Sequence, residues 1–131
     1  MNIASPVPAS QPGSRAYEDS VRLDTAGIVT GLREIVGAQL VAYLGRVSNT
    51  RSVREWAEGA RAPGADVVQR LRTAYYVAGI LIGHESVKTI QAWFQGMNPE
   101  LGDQSPAALL RGEPLDETGP KVIAAARMFT A

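Results

Sequence analysis

Cysteine is absent from this 131-residue chain, and histidine occurs once, at His84. The first absence removes disulfides, thiolate nucleophiles and cysteine-ligated zinc together. The second leaves zinc, which takes its ligands mainly from Cys and His, with no set to draw on. His84 is therefore expected at a helix boundary, as a surface or capping residue. Net charge is missing too: 13 Lys and Arg balance 13 Asp and Glu, so the chain as a whole is not a polybasic nucleic-acid binder. The longest apolar run, AYYVAGILI at 74–82, falls far short of the ~20 residues that span a bilayer. The opening stretch MNIASPVPASQPGS has neither the basic start nor the apolar segment of a secretory signal, so a cytoplasmic location without membrane attachment is expected. No stretch reads convincingly as a strand.

What is present suits a small helical protein. Hydrophobic residues make up 45% of the chain and charged residues 20%, enough for one compact domain or two small helical halves sharing a core. Residues 1–20 are rich in Pro, Ser, Ala and Gly without apolar period and predict a disordered arm. Asp24 or Thr25 then caps a helix whose Ile28, Leu32, Ile35 and Val36 share a face; Gly31 weakens it by ~1 kcal/mol, so packing must hold it. A short helix at 38–44 carries Leu40, Val41 and Leu44 and ends at Gly45. Asn49 or Thr50 caps the next, with Val53, Trp56 and Ala57 inward and Gly59 closing it. A long helix over 64–82 repeats Val67, Leu71, Ala74, Tyr75, Ala78 and Leu81 at steps of three and four. Another carries Val87, Ile90 and Phe94 and stops near Gly96, because Asn98 precedes Pro99. Ser105 and Pro106 restart a short helix, and a final one takes in residues 121–129, entered at Pro120. The reading is all-α.

Catalytic constellations are lacking. Glu55 with Glu58 and Asp116 with Glu117 lie among basic residues or in polar segments, where solvated faces explain them better than acid–base chemistry. The glycines match no phosphate-binding loop or dinucleotide fingerprint. No catalytic residue, cofactor, metal or small-molecule substrate is expected, and the chain is not read as an enzyme.

Residues 38–58 read as helix, tight turn, helix. With Val53 and Trp56 inward, Thr50, Arg51 and Arg54 face outward on the N-terminal half of the second helix, the part a recognition helix presents to the major groove. Arg can bond guanine twice, and Thr50 with the helix-start N–H groups can take phosphate. Six arginines against three acidic residues leave 46–72 at +3, whereas four basic and six acidic residues leave the chain from His84 onward at −2. The same pattern also fits a three-helix cluster in which Arg51 pairs with Glu55, for a few tenths of a kcal/mol.

Two motifs then carry a resemblance. The run WFQGMNPELGDQSPAALLRG at 93–112, following SVREWAEG at 52–59, resembles antitoxins of the Xre/MbcA/ParS type, over about residues 24–129. Ala108 departs from the pattern, standing where members commonly place a Glu and leaving half of a capping box. The resemblance implies an all-helical protein, usually dimeric or in a higher hetero-oligomer with its toxin, with an Xre-like helix-turn-helix domain (21–63) packed on a small helical toxin-binding domain (64–131). It implies a RES-domain toxin that destroys NAD as partner, blocked sterically at its active site, and operator DNA as the second partner. DNA contact would fall to Thr50, Arg51 and Arg54. Toxin contact would fall to Arg111, Glu113, Arg127, Met128 and Phe129, beside an apolar ledge of Pro99, Leu101, Pro106, Leu109 and Leu110. Two rivals remain on the residues: a stand-alone helix-turn-helix regulator whose C-terminal half dimerises, and a protein-binding module without DNA affinity.

Overall fold

Short polar side chains cap several of the helix starts. The computed structural model describes residues 15–16 and 24–131, and among these the secondary structure is helical apart from one isolated bridge, Asn98 to Gln104. Helix α1 (Thr25–Val36) begins where Asp24 accepts from the Gly27 N–H at 2.8 Å. After α2 (Ala38–Leu44), helix α3 (Thr50–Glu58) is capped by Asn49, whose Oδ1 accepts from the N–H groups of Arg51 and Ser52. Helix α4 (Ala65–Ile82) is the longest; α5 (Val87–Gln95) starts at the Ser86 cap. A single 3-10 turn (Pro99–Leu101) is capped by Asn98, and α6 (Pro106–Gly112) by Ser105, whose Oγ accepts from Ala108 N–H at 3.1 Å. Helix α7 (Leu115–Thr130) closes the fold. Each such cap satisfies donors that a helix start otherwise leaves open, worth about 1 kcal/mol.

Helix α4 is the axle. It packs against α1 on one side and α7 on another, with α2, α5 and α6 also touching it. One hydrophobic core runs through Ile28, Leu32, Leu44, Val53, Leu71, Leu81, Ile90, Phe94, Leu110 and Val122, drawing on both the 21–63 and the 64–131 segments. Burying side chains of this size contributes roughly 1.5–3 kcal/mol each. Gly31 lies beneath Tyr75, the tertiary packing its helix needs.

Two expectations change. The last helix begins at Leu115, six residues before the expected 121, and Pro120 lies inside it. Its missing N–H frees only the carbonyl of exposed Asp116, while buried Thr118 anchors the first turn through Oγ1 to the carbonyls of Leu109 and Pro114. Of the expected 1–20 arm, only Arg15 and Ala16 are described. They are helical, and Ala16 is buried so close to Gly79 that a Cβ there would meet it at 2.3 Å.

Candidate functional site

The turn between α2 and α3 is built on a close approach. Gly45 has an ordinary φ of −85°, but a Cβ on it would stand 2.7 Å from the Trp56 ring. Gly45 therefore seats the tryptophan, and the left-handed residue of the turn is Arg46, at φ +60°. Gly59 behaves as expected, capping α3 at φ +76°, a region glycine enters without steric cost. Val53 and Trp56 are buried, so Thr50, Arg51 and Arg54 are exposed along the outer face of α3. Arg51 pairs with Glu55 at 3.4 Å, and Arg61 holds the same carboxylate at 3.0 Å. Arg54 makes no ion pair among the described residues. Beside this helix lies a concavity of about 450 Å³ lined by Gln39, Ala42, Tyr43, Val47, Ser48, Asn49 and Thr50, without a charged side chain.

The basic surface is smaller than the sequence count suggests. Arg70 is 5% exposed and spent internally: Nε donates to Asp66 at 2.9 Å, and Nη1 donates to the carbonyls of Leu110 and Glu113 at 2.8 Å each. The Arg70 hydrogen bond, opposed by some desolvation and assisted by the positive charges of Arg70 and Arg46, holds the Asp66 carboxyl below its usual range.

At the other end, the break between α5 and α6 makes a groove. The 3-10 turn packs on α7, leaving a cavity of about 360 Å³ whose lining includes Trp93, Met97, Pro99, Glu100, Met128 and Phe129. Trp93 stacks edge-on to buried Phe94 at 5.4 Å, and the Phe129 ring leans on it at 6.3 Å. Met97, Met128 and Phe129 are 81%, 59% and 46% exposed. Arg127 bonds the Tyr76 hydroxyl and lies 5.8 Å over its ring.

The residues expected to meet a protein partner thus divide. Met128 and Phe129 line the groove, with Arg127 next in sequence. Arg111 and Glu113 do not line it: Arg111 lies over the Tyr43 ring at 4.6 Å, and the Glu113 carbonyl accepts from Arg70. The expected apolar ledge is corrected as well. Pro106, Leu109 and Leu110 are buried because α6 turns its apolar face inward, Leu101 is buried in the 3-10 turn, and only Pro99 is exposed. Met97 lines the groove without having been expected there, and Trp93 borders it as a buried core residue. Met97 follows the helix stop and has no partner in the apolar repeat, which was the available signal. His84 is exposed at the α4–α5 turn. Among the described residues no group of acidic or histidine side chains is arranged to hold a metal, and no helix is long and apolar enough to cross a membrane.

No protein-family model and no curated protein matches the chain. A solved structure does: a chain from the "Crystal structure of the M.tuberculosis MbcT-MbcA toxin-antitoxin complex" superposes with a TM-score of 0.66 at 28% identity, covering 80% of this chain and 92% of the other. The chain is similar in fold to a chain of that toxin–antitoxin complex. The fold is all-helical here and takes in both the charged α3 face and the apolar groove. In this chain the groove rests on the WF-x-x-MNPEL segment itself, with α7 supplying its other wall.

Proposed function

We propose that this chain is the antitoxin of a type II toxin–antitoxin pair. It neutralises a RES-type, NAD-degrading toxin by covering that enzyme's active site, catalyses nothing itself, and binds operator DNA to regulate its own expression. The likeness to a chain of a toxin–antitoxin complex, over nearly all of that chain, carries the reading. The groove supports it: Met97, Met128 and Phe129 form a preformed apolar patch, which binds with little ordering cost, and Met and aromatic residues are enriched at interface centres. Toxin contact is assigned to Met128 and Phe129, with Arg127 and Met97 at their side; Arg111 and Glu113 stand apart from this patch. The α3 face supports operator binding through Thr50, Arg51 and Arg54. The exposed Arg51–Glu55 pair is worth under about 1 kcal/mol and exchanges readily for phosphate or a guanine edge. We assign the 21–63 segment to DNA, the 64–131 segment to the toxin, and a dimer or a higher hetero-oligomer with toxin to the assembly.

Co-expression with the product of the neighbouring gene tests the reading. The chain should co-purify with that product and restore growth. Met97→Ser with Phe129→Ser should weaken the complex about thirtyfold or more, the scale of an interface hot spot, with helicity and Tm little changed. Full protection by this double variant would move the toxin surface elsewhere. Arg51→Ala with Arg54→Ala should abolish operator binding and spare neutralisation; unchanged promoter affinity would remove α3 as the reading element.

A further inference from the structure

We infer that Arg46, Arg70 and Arg111 form a clasp that positions the α2–α3 turn, so that the aim of α3 at DNA is set by the C-terminal helices. The inference rests on the DNA-binding reading above. Arg46 occupies the left-handed position of the turn, a conformation a non-glycine residue adopts only when its surroundings hold it. Those surroundings come from far along the chain. Its Nε donates to the Arg111 carbonyl at 2.7 Å, and its guanidinium lies 3.7 Å from Asp66. Arg111 answers across the same gap: Nη1 donates to the Tyr43 carbonyl at 2.5 Å while the guanidinium covers the Tyr43 ring. The Tyr43 carbonyl also accepts from the Arg46 N–H, so one acceptor joins both arginines. Behind them, buried Arg70 ties the end of α6 to α4 through the Leu110 and Glu113 carbonyls. Charge-assisted bonds of this kind are roughly twice as strong as neutral ones. The end of α6 is thereby locked to α4, and from that fixed point Arg111 grips the last turn of α2, six residues before the Asn49 cap of α3. Arg111 is a positioning residue, its guanidinium already committed to a carbonyl and a ring.

Arg111→Met and Arg111→Lys in the full chain provide the test, with binding to a duplex carrying the region upstream of the chain's own reading frame measured over a range of salt. Both variants should bind about tenfold more weakly, the scale of one lost base contact. The slope of log affinity against log salt should not change, because no phosphate contact is removed. Lysine should fare no better than methionine, since a point charge holds neither the fork nor the stack. Amide exchange at Val47, whose N–H bonds the Ala42 carbonyl at 3.0 Å, should quicken in both. A slope reduced by about one, with lysine restoring affinity, would make Arg111 a phosphate contact and overturn the clasp. Unchanged affinity with unchanged exchange would overturn it too. If the unaltered chain does not bind the duplex, the DNA reading fails, and exchange at Val47 alone decides whether the clasp holds the turn.

Discussion

At the α2–α3 end the exposed side chains are charged or neutral polar, and Arg51 and Arg61 already share Glu55. At the α5–α7 end the groove exposes Met97, Met128 and Phe129, with Glu100 at its edge, and Met97 at 81% exposure has little to cover it. The two surfaces ask for different partners. An ion-paired face binds by exchanging one set of charges for another, and its affinity falls as salt rises. An apolar groove gains by excluding water and depends on being held in shape beforehand. Each face hangs from one buried tryptophan, Trp56 against Gly45 and Trp93 against Phe94, and both tryptophans belong to one core. Chemically the ends are separate, but mechanically they are joined.

The largest test of that joining is Phe94→Ala. Phe94 is fully buried, and its loss should cost about 3–5 kcal/mol. Trp56 and Trp93 are the chain's two tryptophans, one per end. In single-tryptophan variants both should report the same shifted denaturation midpoint; separate midpoints would break the single core into two. Gly45→Val comes next. Its side chain meets the Trp56 ring, an overpacking of about 1–3 kcal/mol, and should lower stability and disturb Trp56 emission. Trp93 emission in the native state should stay as it was, and a shift there would mean that strain crosses between the ends. The smallest effect concerns acid. The Asp66 carboxyl titrates below its usual value of 3.8, so its stabilising contribution is complete above that value and fades as pH falls through the lower folded-state value. Asp66→Asn should flatten that part of the acid limb of a stability–pH curve; an unaltered limb would remove Asp66 from the joint between the ends.

Much of the secondary structure was legible because it is decided locally. Asp24, Asn49 and Ser105 each satisfy a donor three residues ahead, and spacing along the chain is enough to find them. The outward direction of Thr50, Arg51 and Arg54 followed from the inward direction of Val53 and Trp56. The start of α7 was missed because proline was read as a helix entrance, whereas a buried threonine six residues after α6 carries the helix past it. Arg70 was counted as surface charge for want of any local sign that carbonyls 40 and 43 residues away would take its protons.

The sequence by itself therefore determined most helix boundaries and the inward side of α1 to α5, since caps and apolar periods act over a few residues. Tertiary structure alone decided that Arg70 is buried, that Arg111 grips α2 instead of facing solvent, and that Met97 and Phe129 line one groove. These contacts join segments far apart in the chain, and only the packing of α4 against α1 and α7 brings them within reach.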